Sequence, residues 1–378
     1  MKSKIIFILI AIETGLIFNF FLKSVIEVQA NSKSIKEIQE ERERWQSKKA
    51  TSKSTEEWLK DLSSEDKVIR QSAMEALGYL KSKEAVPALI NALNDNNWCV
   101  RETAIKALGG IKDERVIEPL ITRLRDECKI DDQTKVGKEG QSTVSIHIEG
   151  EIIDALCSIG TKTIPSLMKV IENKKEGGPF KYKVAIILGR LGEKKVLLLL
   201  IEALEKEKEG IWRSNIAEIL GKLGDKRAIP YLRNALRDKY KIQDPDSGVW
   251  HYIVKQSAIT ALGELKATES VHDLIELLNQ EKDNGVVYVA LGKIGDKRVV
   301  PVLIDILENS KENAPRYYAA STLGKIGDKK AIPVLKKALD DNWCTPSGMY
   351  PVRDGAANSL KKMGIKVIKE GNGYKVVE

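Results

Sequence analysis

Histidine is nearly absent from this chain, with three among 378 residues, and cysteine is scarce at four. His147, His251 and His272 are scattered, and neither a His-Glu-x-x-His run nor a Cys-x-x-Cys pair occurs. The common metal-site spacings are therefore missing. So are the Gly-x-Ser-x-Gly elbow and the glycine-rich phosphate loop. These absences leave no catalytic residue, cofactor site or metal ligand to name from sequence. Asp244 to Gly248 opens like a calcium loop, but Lys255 holds the twelfth place where an acid should close it, so a polar turn is expected. Cys99 and Cys128 fall in successive turns where a bridge is conceivable, and Cys157 stands at a helix-packing position as a small buried apolar residue.

Charge of a single sign is missing too. The chain has 62 basic and 54 acidic side chains, a net of +8. Lys and Glu interleave on helical surfaces, and no basic block of the kind that grips nucleic acid by itself is present. Aromatics make up only 6% of the residues, whereas Ala, Leu, Ile and Val dominate. That balance favours packed helices over sheets.

What is abundant is repetition. "VIRQSAMEALGYL", "VRETAIKALGGI", "WRSNIAEILGKLG", "VKQSAITALGEL", "RYYAASTLGKIG" and "VRDGAANSLKKMG" are variants of one helix. Its late glycine recurs as Gly78, Gly109, Gly189, Gly221, Gly263, Gly292 and Gly324, with Cys157 and Lys361 in the same place in two degenerate copies. Most spacings are close to thirty residues. A short turn follows, often Gly-Asp, and then a second helix with Pro87, Pro119, Pro165, Pro230, Pro301 or Pro333 at its start. There the missing N–H costs nothing and the fixed φ suits the first turn. Asp113, Asp225, Asp296 and Asp328 precede that helix as N-terminal caps. Small residues at Ala73, Ala104, Ala217, Ala258, Ala319 and Ala356 allow neighbouring helices to approach. No such pair can bury its apolar faces alone, and stacking hides them, which makes a one-dimensional array.

The lines "VRETAIKALGGIKDERVIEPL", "GKLGDKRAIPYLRNAL", "GKIGDKRVVPVLIDIL" and "GKIGDKKAIPVLKKALDD" resemble the HEAT repeat in its short, PBS-lyase-like form. The resemblance spans residues 55–363 and implies an all-α fold, an α-solenoid of about nine stacked helix pairs. The first pair begins with "TEEWLKDL", where Ser54 and Glu57 fit a capping box. The tail, residues 364–378, alternates around Gly371-Asn372-Gly373 and suggests a small β-hairpin covering the last pair.

Eight residues before each anchor lies a basic column: Arg70, Arg101, Lys181, Arg213, Lys255, Arg316 and Arg353, broken only by Glu149 and Asn284. It reads either as a stripe for an acidic partner or, as the resemblance implies, as a ladder with turn aspartates such as Asp95. Three insertions, residues 127–147, 239–251 and 341–351, enlarge the turn inside the third, sixth and ninth pairs. They carry an unusual share of aromatics, and Tyr240, Trp250, His251, Tyr252, Trp343 and Tyr350 are the candidates for contacting a partner. Asn97-Trp98-Cys99 and Asn342-Trp343-Cys344 look like two copies of one turn, packed between successive pairs, the second opened by its insertion.

The N-terminus sets an expectation for location. Lys2 and Lys4 precede an apolar run from Ile5 to Leu22, and Val28 and Ala30 fit a small-residue cleavage site. Residues 1–30 therefore read as a signal peptide or membrane anchor, and either places the rest outside the cytoplasm. Residues 31–54 read as a charged linker, within which Ile35, Ile38 and Trp45 could form a weak amphipathic helix. The functional expectation is a non-catalytic, exported scaffold that binds a protein. A lyase- or hydroxylase-type enzyme on the same repeats is the alternative, and nucleic-acid binding a second.

Overall fold

The computed structural model describes residues 35–133, 141–243, 250–345, 348–371 and 373–377. The N-terminal segment expected to direct export lies outside them, as do Asp244 to Gly248. The chain forms two units, Met1–Glu193 and Lys194–Glu378.

The first unit opens with α1 (Ile35–Ala50), so the stretch expected as a linker is helical over most of its length. The reason is tertiary: Ala50 is fully buried, its carbonyl accepts from Trp58 Nε1 at 2.9 Å, and Lys49 pairs with Glu75 at 2.7 Å. Four helix pairs follow, each with a leading and a trailing helix. They are α2 (Thr55–Asp61) with α3 (Lys67–Tyr79), α4 (Val86–Ala92) with α5 (Trp98–Ile111), α6 (Ile117–Gln133) with α7 (Gln141–Ile159), and α8 (Ile164–Glu172) with α9 (Gly178–Arg190). The capping box forms, with Glu57 N–H donating to Ser54 Oγ and Ser54 N–H to Glu57 Oε2. The insertion at residues 127–147 is not a loop in its described part; α6 runs to Gln133 and α7 starts at Gln141.

The second unit holds α10 (Leu197–Lys206) with α11 (Gly210–Leu223), α12 (Ile229–Ala235) with α13 (Ile253–Glu264), α14 (Val271–Gln280) with α15 (Gly285–Ile294), α16 (Val300–Asn309) with α17 (Asn313–Ile326), and α18 (Ile332–Lys337) with α19 (Pro351–Lys362). In the α12–α13 turn, β1 (Ile242–Gln243) pairs antiparallel with β2 (Trp250–His251), a two-rung ladder where sequence suggested only loop. At the C-terminus β3 (Val367–Glu370) and β4 (Gly373–Val376) form the expected hairpin, with Glu370 opposite Gly373 and Gly371 in the left-handed region. Tyr374 Oη donates to Asp354 at 2.6 Å and ties the hairpin to α19.

The repeat geometry follows from a few columns. A single 3₁₀ turn precedes the prolines, and Asp113, Asp225, Asp296 and Asp328 cap that turn rather than the α-helix, each accepting the N–H two residues on. Trailing helices pack side by side through their anchor glycines. A Cβ at Gly78 would lie 2.8 Å from Ala107 Cα, and one at Gly221 would lie 2.7 Å from Ala261 Cα. The close approach thus belongs to the anchor and to the small residue two before the next anchor. Ala73, Ala104, Ala217, Ala258, Ala319 and Ala356 fill the core beneath, fully buried.

Candidate functional site

The basic column is built into the turns. Arg70 Nη1 donates to the Ser64 and Glu65 carbonyls, both at 2.9 Å, and Nη2 reaches Asp95 at 3.4 Å. Arg213 grips Glu207 and Lys208 carbonyls and pairs with Asp238 at 2.8 Å; Arg316 takes the Ser310 carbonyl and pairs with Asp341 at 2.9 Å. One planar fork closes the turn before its own helix and reaches the acid 25 residues on. Lys255 reaches Glu281 at 2.9 Å, Arg101 Nη1 takes the Asp95 and Asn96 carbonyls, and Arg353 donates to Asn342 Oδ1. Lys181 makes no such ion pair among the described residues, and 25 positions on stands Lys206, a like charge. At the broken rung Glu149 is buried, with Lys183 Nζ at 3.7 Å and Cys128 Sγ at 3.3 Å.

The same turn explains the duplicated Asn-Trp-Cys. Asp95, Asp238 and Asp341 each accept the N–H of the residue two further on, which is Asn97, Tyr240 and Trp343. Aligned on those aspartates, Trp343 occupies the place of Asn97, not of Trp98. The two copies are out of register by one residue. Trp98 is the first residue of α5, capped by Asn97 and partly exposed, whereas Trp343 is half-buried in its turn. Trp98 meets His147 on α7 of the next pair edge-on, ring centroids 6.4 Å apart, so it touches the successive pair while staying partly exposed. Tyr240 is a plug. A Cβ on Gly210 would fall 2.0 Å from its ring, and Arg213 stacks on it at 5.8 Å.

Of the remaining candidates, Trp250 and Tyr252 are exposed, whereas His251 and Tyr350 are half-buried. Trp250 is 49% exposed under Lys241 Nζ at 4.5 Å, Tyr252 is 37% exposed under Lys255 Nζ at 4.5 Å, and Tyr350 lies under the Arg353 guanidinium at 4.4 Å. His251 is half-buried on β2. Beside β1 and β2 opens a groove of about 560 Å³, lined among others by Arg233, Lys239, Lys241, Tyr252, Lys255 and Asp273. Near the α18–α19 turn, Thr345 N–H donates to the Met349 carbonyl at 2.8 Å and Met349 N–H returns to Thr345 Oγ1. That closure holds Met349 58% exposed next to Tyr350.

In the first unit a separate cluster joins α5 to α7. Glu102, His147 and Glu151 bring their ligand atoms within 4.8 Å of one another. His147 Nε2 is 3.2 Å from Glu102 Oε1 and 3.9 Å from Glu151 Oε1, and Lys106 Nζ lies 2.7 Å from Glu102 and 3.4 Å from Glu151. Burial works against the Glu102 charge, but hydrogen bonds from His147 and Lys106 overcome it and hold its pKa down to about 2. The hydrogen bond to Glu102 raises His147 against the opposing effect of burial, and burial raises Glu151 above the ordinary carboxylate range.

Comparison with known proteins fixes the family. The HEAT-repeat model matches residues 55–134, 164–243 and 286–346, more than half of the chain. The chain is a HEAT-repeat protein. The PBS lyase HEAT-like repeat model matches residues 254–280 as well. No curated protein sequence matches it. Among solved structures, importin β is similar in fold at 12% identity and a TM-score of 0.54, covering 82% of this chain and 47% of that one. The E. coli protein YibA is 17% identical over 89% of this chain and 99% of its own, with a TM-score of 0.45. The CpcE–CpcF complex of phycocyanin lyase from Nostoc is 21% identical over 67% of this chain and 92% of that one, with a TM-score of 0.30.

Within the HEAT pairs, sequence reasoning missed the Glu102–His147–Glu151 cluster. The signal was present, since His147 and Glu151 stand one helical turn apart. It is legible only if the insertion is helical, and residues 127–147 were expected to be a loop. Glu102 lies on the previous trailing helix, and its distance in sequence hides the contact that lateral stacking makes.

Proposed function

We propose that this HEAT-repeat protein is an exported, non-catalytic scaffold that binds another protein through the loop-bearing turns of its second unit. The supporting observation is the set of side chains at those turns: the exposed rings of Trp250 and Tyr252, each lying under a lysine beside the 560 Å³ groove, and at the ninth pair exposed Met349 next to half-buried Tyr350. Trp and Tyr on a rigid frame are favoured interface anchors, because they bury large area at small entropic cost. The column of bases does not serve this purpose: Arg70, Arg213 and Arg316 already close turns and hold acids.

Binding is tested by cross-linking the exported protein in its native cells and comparing wild type with Trp250→Ala/Tyr252→Ala and Met349→Ala/Tyr350→Ala. The expected outcome is loss of a stoichiometric cross-linked species in one double variant, with the helical circular dichroism unchanged. Unaltered recovery from both sinks the proposal. Export is tested by fractionation with N-terminal sequencing of the purified chain: a mature terminus after Ala30, or an anchored chain facing outward, supports it, and a cytoplasmic chain beginning at Met1 removes it. The non-catalytic part fails if the purified protein carries a covalently bound tetrapyrrole or turns over one.

A further inference from the structure

The Glu102–His147–Glu151 cluster does more than join two helices. We propose that it is a binding site for a divalent transition metal of the zinc class, held by His147 Nε2 and one oxygen from each carboxylate, with water completing the coordination.

The geometry is the first reason. Zinc sits about 2.0–2.2 Å from imidazole nitrogen and carboxylate oxygen, which sets tetrahedral donor–donor edges near 3.4 Å. The observed edges from His147 Nε2 are 3.2 Å to Glu102 and 3.9 Å to Glu151, and all three ligand atoms lie within 4.8 Å. The two edges from Nε2 need shifts of a few tenths of an ångström, and the edge between the two carboxylates, within 4.8 Å, closes onto one ion by rotation of the flexible glutamate side chains. The donors are also well mounted. His147 and Glu151 lie one turn apart on α7, and Glu102 comes from α5 packed alongside. One imidazole with two carboxylates suits zinc, manganese or iron(II) rather than calcium, which takes oxygen alone.

The second reason is that a cation already occupies the place. The Lys106 ammonium sits between Glu102 and Glu151, 2.7 and 3.4 Å from their oxygens. Glu151 is nine-tenths buried, and its two nearest cationic groups are this lysine and His147 at 3.9 Å. A buried carboxylate with such long pairs carries an uncompensated desolvation cost, which a divalent ion in direct contact offsets. Lys106 remains 38% exposed on a flexible stem, so it can swing into water when a metal arrives. In that exchange the metal takes the Nε2 lone pair of a neutral His147 whose proton sits on Nδ1, any second proton goes to solvent, and Lys106 leaves still charged.

The test uses tag-free full-length mature protein stripped with chelator, titrated with Zn²⁺ by calorimetry and with Co²⁺ by visible absorption at neutral pH. Wild type is expected to bind one ion per chain, with Trp98 fluorescence changing in step because its ring meets His147. His147→Gln and Glu151→Gln should each weaken binding by about 100-fold, as loss of a protein ligand does. Lys106→Met removes the competing charge and should tighten it by about tenfold. His251→Gln, in the second unit, should bind like wild type. No uptake by either wild type or Lys106→Met at millimolar metal overturns the proposal. So does binding that survives His147→Gln unchanged. Lys106 is a surface residue, so the Lys106→Met variant folds and keeps the question open to a negative answer even if Glu151→Gln does not.

Discussion

The third and the sixth HEAT pairs receive extra residues at the same point, between leading and trailing helix, and do opposite things with them. In the third pair the helices lengthen: α6 runs to Gln133 and α7 begins at Gln141, which places His147 over Glu102. In the sixth, β1 and β2 form a two-rung ladder that lifts Trp250 into solvent. The cause lies in the inserted sequence. The described start of the first insertion, "ECKIDDQ", carries neither proline nor glycine and continues α6, whereas "KYKIQDPDSGVWH" mixes β-favouring residues with Pro245 and Gly248. The lesson is that an insertion point fixes where new chemistry can appear, and local propensity decides whether it faces inward or outward.

The comparison can be broken in several ways, taken here from the largest effect to the smallest. Thiol chemistry should separate the two units most. Burial pushes the Cys157 thiol up to about 11, while Cys344 is exposed in the ninth-pair turn. At pH 8 the thiolate fraction at Cys157 is on the order of 10⁻³. Iodoacetamide labelling read by mass spectrometry should modify Cys344 more than about 100-fold faster, and rapid modification of Cys157 in native protein would show that burial does not hold its thiol protonated.

Next comes the stacking itself. Gly78→Val and Gly221→Val place a side chain within 2.8 and 2.7 Å of backbone on the next trailing helix. Each should cost about 3 kcal/mol in urea unfolding, because backbone must move. A neutral result in one unit would show that its trailing helices have freedom the other lacks. The turn staples follow. Arg213→Ala strips two carbonyls of the guanidinium and leaves Asp238 with only the Tyr240 N–H among its described donors, and should cost about 2 kcal/mol. Arg70→Ala, with its longer ion pair, should cost about 1 kcal/mol, and Lys181→Ala, which has no such pair, close to none. Equal losses at all three would mean that the column acts by charge alone. The smallest effect is at the C-terminus. Tyr374→Phe removes the hydrogen bond to Asp354 and should cost about 1 kcal/mol, seen as faster amide exchange confined to β3 and β4.

Much of the fold was legible because the repeat states it many times. The prolines, the capping aspartates and the anchor glycines each recur at fixed offsets, and the hairpin around Gly371 follows from alternation. What escaped was set by contacts between pairs. The weak amphipathic pattern of Ile35, Ile38 and Trp45 hinted at α1, but its end is set by packing, where the Ala50 carbonyl meets Trp58 Nε1. Asn-Trp-Cys looked like one motif twice, but the aspartate that the preceding arginine grips fixes the register, and it shifts the second copy by one. The six candidates separated in the same manner: Tyr240 and Trp343 were drawn into turns, His251 is half-buried on β2, and Trp250, Tyr252 and Tyr350 hold their rings under cations.

The 25-residue reach of the arginine staples also bears on how the chain acquires its shape. Arg70 finds Asp95, Arg213 finds Asp238 and Arg316 finds Asp341 once the leading helix of the following pair exists, before its trailing helix is needed. Contacts of such short span close quickly and at small loop entropy, which puts this topology among fast folders. A nascent chain leaving the ribosome can therefore lock each turn as soon as the next leading helix has emerged, and it never has to hold a long unpaired segment waiting for a distant partner.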